Sequence, residues 1–167
     1  MTATPIVRPA TLADVDGIAA IYAREVQGGV ATFETEVPPR TRWTDLLAST
    51  EAGHHVLVAD VDGTVAGYAY ASSYRPRAGY RRTRETSLYL APAFQARGLG
   101  RALYVDLLDH LRSDEIHVVV AGIAMPNPAS VRLHESVGFE HLGTMREVGH
   151  KLGRWVDVAW YQQILLP

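Results

Sequence analysis

The chain has 167 residues, 47% hydrophobic and 20% charged, with a formal net charge of -2. That is an ordinary globular composition at the size of one domain, without the basic excess that nucleic acid or an anionic membrane surface would require. The absence of cysteine excludes disulfides, thiolate metal sites and a cysteine nucleophile. No apolar run approaches the roughly 20 residues needed to span a bilayer, and Met1 to Arg8 holds no apolar signal-peptide core. The expectation is a soluble, cytoplasmic chain forming a single domain over residues 1–167.

Ile6 to Arg8 predicts a short strand. Thr11 offers a cap with Asp14 three residues on, and Val15, Ile18, Ile21 and Tyr22 recur at helical spacing, so a helix is predicted over Leu12 to Glu25. Gly28-Gly29 breaks it. Pro38-Pro39 opens a second helical segment whose Trp43, Leu46 and Leu47 mark one face up to Gly53. His55 to Ala59 and Val65 to Ala71 predict strands joined through Asp62-Gly63, a strong hairpin signal. Tyr74 to Arg84 reads as a polar, arginine-rich loop, and Ser87 to Ala91 as a strand stopped by Pro92. Leu103, Leu107 and Leu111 repeat every four residues beside Leu108, predicting a helix from Gly100 to Arg112 with one broad buried face. His117 to Ile123 suits a strand buried on both faces. Pro126-Asn127-Pro128 leads into a helix from Ala129 to Val137 closed by Gly138. Phe139 to Val148 and Trp155 to Leu165 predict a last pair of strands around Gly149 to Gly153. This order indicates one mixed α/β sheet flanked by helices.

Two stretches carry chemistry. Gln95-Ala96-Arg97-Gly98-Leu99-Gly100 lies between a strand and a helix, where glycines allow a tight turn and the helix's first N–H groups face an anion. Arg97 and Arg101 add charge-assisted donors, so a pyrophosphate is the natural guest; a plain strand-to-helix connection would use the same residues. The spacing matches neither a P-loop nor the three-glycine dinucleotide fingerprint. The second stretch is "NPASVRLHESVGF", Asn127 to Phe139.

Together these resemble the GNAT superfamily of N-acetyltransferases: Gln95-x-x-Gly98-x-Gly100 is similar to its acyl-CoA pyrophosphate loop, and Asn127, Ala129, Leu133, Gly138 and Phe139 to the helix after the next strand. "TRETSLYL", "SVRLHESVGF" and "VGHKLGRWVDVAWYQ" resemble its phosphinothricin and methionine sulfoximine/sulfone branch, over nearly the whole chain. The resemblance implies a mixed, mostly antiparallel splayed sheet and a homodimer. It implies acetyl-CoA as co-substrate, lying between the strand Ser87 to Ala91 and the strand His117 to Ile123. Leu88, Tyr89, Leu90, Gln95, Ala96, Arg97, Gly98, Leu99, Gly100, Arg101, Asn127 and Ser130 would line its site, with a backbone N–H of Leu88 to Leu90 holding the oxyanion.

Within that resemblance Glu85 and His134 are the candidate catalytic residues. An amino-acid ammonium must lose a proton before it attacks, and a carboxylate beside the pocket takes it directly or through water; a solvated charge at a strand end is the bland alternative for Glu85. Many superfamily members carry a tyrosine, thought to protonate the leaving thiolate, where this chain has His134. That histidine is a candidate acid or a polar residue on a half-buried helix. Arg75 and Arg77, with Tyr80, Arg81, Arg82 and Arg84, suit a carboxylate or phosphinate or form a solvated loop, Arg75 being the better candidate for the substrate. Phe33, in Thr32-Phe33-Glu34, would close over the substrate or pack as an ordinary apolar side chain. The seven histidines show no metal-ligand spacing, so no catalytic metal is expected. The expected reaction is acetyl transfer to the α-amine of a small amino acid or analogue. Protein N-termini, polyamines and a non-catalytic CoA sensor are the rivals. The resemblance implies that Trp155, Val156, Val158, Trp160 and Tyr161 lie at a subunit interface, with His150 and Lys151 near the neighbouring pocket; filling the chain's own core is the alternative for those side chains.

Overall fold

The computed structural model describes residues 5–166, so the start of the Met1 to Arg8 reading lies outside the described residues. Seven strands form one sheet: β1 (Ile6–Pro9), β2 (His55–Val61), β3 (Thr64–Ser73), β4 (Thr83–Leu90), β5 (Val118–Ala124), β6 (Glu140–Lys151) and β7 (Arg154–Ile164). Four helices cover it: α1 (Val15–Gly28), α2 (Thr41–Ala48), α3 (Leu99–Ser113) and α4 (Pro128–Ser136). The strand order is β1-β2-β3-β4-β5-β7-β6. Every neighbouring pair is antiparallel except β4 and β5, so the expected mixed, mostly antiparallel sheet is present. No described helix is long and apolar enough to cross a membrane.

Strand alternation builds two cores from the same strand. Val56 and Val58 of β2 pack with Val15, Ile18, Tyr22 and Trp43 on the α1/α2 side. Leu57 and Ala59 pack with Leu103, Leu107, Leu108 and Leu111 of α3 on the other side. Leu107 is fully buried, so its truncation to Ala would cost about 2–5 kcal/mol.

The turns follow local chemistry. Asp62 and Gly63 adopt φ of +51° and +77°, the left-handed pair that a two-residue hairpin needs, and Asp60 Oδ1 accepts the Gly63 N–H at 2.8 Å. Thr11 and Asp14 form the expected cap, with the Thr11 N–H donating to Asp14 Oδ2 at 2.7 Å.

Four boundary differences matter most. α1 runs to Gly28, and α2 stops at Ala48, where the chain turns through His54 N–H to Glu51 O. The final hairpin turns on Leu152-Gly153 alone, both at positive φ, so Gly149 to Lys151 belong to β6. β4 starts at Thr83, well before the expected Ser87. Arg84 therefore does not belong to the exposed arginine group. Its side chain is buried, and its guanidinium donates to the carbonyls of Ala52, Arg81 and Thr83 and to the Glu51 carboxylate. An arginine whose donors are met by carbonyls and a carboxylate of its own chain is indistinguishable in composition from a solvated one.

The parallel pairing positions the site. β4 and β5 are in register only at Thr83–Val118, Arg84–Val119 and Glu85–Val120. Past Glu85 the two strands part, while β4 continues to Leu90 and β5 to Ala124.

Candidate active site

A cavity of about 400 Å³ occupies the gap between β4 and β5. It runs from Gln95, Ala96, Gly98 and Gly100 past Leu88, Tyr89 and Leu90 to Asn127, Ser130 and His134, and reaches Glu25 and Ala31 at another margin. Its size suits a small-molecule site.

The loop entering α3 is shaped for an anion. Ala96 and Gly98 hold φ of +58° and +80°, and Gly98 caps α3. Alternating hand of this kind turns successive N–H groups inward, and the unpartnered first-turn N–H groups add to them. A Cβ on Gly98 would meet nothing within 4 Å, so that side is open, whereas one on Gly100 would lie 3.0 Å from Leu133 Cδ2. Gly98 thus serves the loop conformation and Gly100 the approach of α3 to α4. The open wedge and anion-shaped loop fit the pantetheine arm and pyrophosphate of acetyl-CoA. Arg97, Leu99 and Arg101 are not among the cavity's lining residues. The Leu99 side chain is buried in the α3 core, and the Arg97 guanidinium stands over the Phe94 ring at 5.4 Å.

α4 starts with Asn127 Oδ1 accepting the Ser130 N–H at 3.1 Å and Pro128 in its first turn. Gly138 closes it at φ +98°. This fixes His134, buried, with Nδ1 2.7 Å from Ser130 O and Nε2 2.8 Å from Tyr104 Oη. A carbonyl only accepts, so Nδ1 carries the hydrogen; in the neutral ring Nε2 then accepts from the Tyr104 hydroxyl. Burial holds the His134 pKa below its ordinary value, with the Ser130 carbonyl opposing, and burial pushes the Tyr104 hydroxyl up. Tyr104 Oη also lies 3.4 Å from Thr86 Oγ1. Tyr104 and Thr86, both cavity-lining, were missed in the sequence. The available signal was a hydroxyl in a leucine stripe, since a buried tyrosine needs a partner.

Glu85 lies within β4 rather than ahead of it, opposite Ser72 of β3 and Val120 of β5. It does not line the cavity, but it shares a strand face with Ser87 and Tyr89, which do. Burial raises its pKa and the nearby Arg75 guanidinium opposes that shift. Arg75 and Arg77 are exposed; Arg75 stands over the Tyr74 ring at 4.9 Å. Phe33 is partly exposed and packs on Gly149, where no side chain would fit beside it. Lys151 turns into its own chain and is buried, while Trp155 is 64% exposed. Among the described residues no cluster of three or more His, Cys, Asp or Glu could hold a metal ion.

Comparison with known proteins gives this geometry its context. Residues 7–160 match the family model described as an acetyltransferase (GNAT) domain. The chain is 42% identical over 168 residues to a phosphinothricin N-acetyltransferase of Streptomyces coelicolor, covering 98% of each. It is 39% identical over 166 residues to an L-methionine sulfoximine/L-methionine sulfone acetyltransferase of Pseudomonas paraeruginosa, covering 96% of this chain and 95% of that one. A phosphinothricin acetyltransferase from Sinorhizobium meliloti, solved in complex with acetyl-CoA, superimposes with a TM-score of 0.89 at 38% identity, over 98% of this chain and 89% of that one. The wedge between β4 and β5 and the turn into α3 thus sit in a sequence that matches along nearly its whole length, and the chain belongs to the GNAT acetyltransferases as an N-acetyltransferase.

Proposed function

We propose that the protein transfers an acetyl group from acetyl-CoA to the α-amine of a small amino acid or analogue of the phosphinothricin, methionine sulfoximine or methionine sulfone type. The observation that carries this reading is the continuity of the cavity. It joins the anion-shaped loop to the β4 face that Glu85 shares with Ser87 and Tyr89. The names of the relatives supply the substrate class.

Bound acetyl-CoA supplies a thioester carbonyl and a thiolate leaving group. Glu85, whose burial brings its pKa towards that of an amine, takes the first proton from the ammonium, directly or through water. The C–N bond then forms as the C–S bond breaks, and the nitrogen's second proton ends on the departing sulfur. His134 has a different part from the acid role first considered for it. A neutral ring whose one N–H goes to Ser130 O offers Nε2 only as an acceptor. The neighbouring donor is the Tyr104 hydroxyl, which turns from Nε2 to the developing thiolate and stabilises it as a hydrogen-bond donor. His134 orients that hydroxyl. Arg75 is the candidate for the substrate carboxylate.

The same reading includes one domain over residues 1–167, a cytoplasmic location and a homodimer. In support of the dimer, the β6–β7 hairpin exposes Leu142, Met145, Val148, Leu152 and Trp155 at one edge of the sheet.

The test is incubation with acetyl-CoA and a panel of amines, with thiol release followed and products identified by mass. N-acetylation of free amino acids or their analogues is expected. Thiol release with none of them, or only with spermidine, overturns the reading.

A further inference from the structure

The ammonium of Lys151, at the end of β6, is buried at 4% relative exposure. Nζ donates to Glu25 O at 2.9 Å and to Thr32 O at 2.8 Å, residues more than a hundred positions away in the chain. Burying an ammonium is costly unless its donors are met, and here both partners are main-chain carbonyls. Glu25 O belongs to the last turn of α1 and also accepts the Gly29 N–H, so the charge sits at the negative end of the helix dipole. Burial lowers the Lys151 pKa below its ordinary value, and Glu25 and Glu34 oppose that shift through space.

The segment that Lys151 holds borders the site. Glu25 and Ala31 line the cavity. Tyr89, on the Glu85 face of β4, donates its hydroxyl to Ala31 O at 3.4 Å. Tyr22 Oη lies 2.7 Å from Thr32 Oγ1, Arg42 pairs with Glu34, and Phe33 packs against Gly149, two residues before Lys151. Residues 29–34 are thus tied at several points, and Lys151 supplies the hydrogen-bonded tie to the β6–β7 hairpin beside the Phe33–Gly149 packing.

We propose that Lys151 is a positioning residue for the amine substrate: its ammonium fixes residues 29–34 at the cavity margin and so sets where Ala31 and Phe33 stand. This rests on the proposed amine acetylation. A lysine that only stabilised the fold would leave substrate recognition unchanged at a temperature where the variant is folded.

The experiment compares the parent, Lys151→Met and Lys151→Arg well below their melting temperatures. In Lys151→Met the KM for the amino-acid substrate rises about tenfold or more, the scale of a lost charge-assisted hydrogen bond, while the acetyl-CoA KM stays within about twofold. Lys151→Arg, which keeps the charge with a wider head, recovers part of the loss; if the Met variant does not fold, the Arg variant alone shows the amine-specific rise. An amine KM unchanged in the folded variants, or both KM values rising together, overturns the proposal. A parent that acetylates no amine would instead sink the functional reading. Limited proteolysis within residues 29–34 then decides on Lys151, because only a lost tie makes Lys151→Arg more sensitive there than the parent.

Discussion

The Tyr104 hydroxyl lies 2.8 Å from His134 Nε2, and the opposite ring nitrogen is committed to Ser130 O at 2.7 Å. In the proposed mechanism the pair acts as a unit, so its members should not contribute independently. Tyr104→Phe, which keeps the ring in its packed place, is predicted to lower kcat about 10²-fold, the lower range for removing a transition-state hydrogen-bond donor, with little change in the acetyl-CoA KM. His134→Ala should lower kcat too, and the double variant should lose far less than the product of the single losses. Steady-state kinetics check this; losses that multiply would separate the two residues.

Glu85 gives a prediction with a sign in both activity and stability. As the base it must be ionised, and its pKa is raised by burial. The acid limb of kcat/KM should therefore lie above the ordinary glutamate value of about 4.3 and vanish in Glu85→Gln along with most of the activity. In stability, a carboxyl with a raised folded-state pKa favours folding fully below its unfolded pKa. That contribution is lost as pH rises through the folded value. Glu85→Gln should consequently melt higher than the parent at neutral pH, with the gap closing as pH falls towards 4. Thermal melts across pH read it; a variant that melts lower at every pH contradicts it.

Asp14 behaves in the opposite sense. Arg8 and the Thr11 groups hold its pKa down to about 2, with Arg8 Nη1 at 2.8 Å from Oδ2. Its stabilisation is present above the unfolded value and lost as pH falls through the folded one. Asp14→Asn should cost about 2 kcal/mol at neutral pH, the scale of a charge-assisted hydrogen bond, and the penalty should fade between about pH 4 and pH 2. Denaturant titration at several pH values measures it.

The loop into α3 is tested by binding. Acetyl-CoA should raise the melting temperature of the parent, since it binds only the folded state. Gly98→Asp puts a side chain at φ +80° and a negative charge where the phosphates approach, so that rise should be lost. An undiminished rise in a folded Gly98→Asp variant would remove the loop from the cofactor site.

What the sequence made readable was local. Asp62-Gly63, the Leu103/Leu107/Leu111 stripe and the Thr11–Asp14 cap each act within a few residues, so their chemistry fixes the structure directly. What it hid depends on distant partners. Arg84 reads as a loop charge until the carbonyl of Ala52 meets it. Tyr104 is one apolar position in a helix until His134 arrives from thirty residues on. Lys151 finds its partners in Glu25 and Thr32, more than a hundred residues away in its own chain. The branch of the family was legible because its motifs are contiguous, whereas the Tyr104–His134 pairing is a property of packing between α3 and α4.

The proposed role of Arg75 is to hold the substrate carboxylate. Arg75→Ala should raise KM for methionine sulfone about ten- to a hundredfold and leave its amide nearly unaffected. Arg75→Lys should restore only part, lacking the planar fork. Equal losses for acid and amide would mean that Arg75 shapes the surface without reading the charge.

The most direct measurement is a competition in one vessel. Acetyl-CoA, methionine sulfone, phosphinothricin, spermidine and an alanine-terminated peptide are mixed with the parent enzyme, and initial products are resolved by mass. Predominant N-acetylation of methionine sulfone or phosphinothricin is predicted. Predominant acetylation of the peptide or spermidine would contradict an amino-acid N-acetyltransferase.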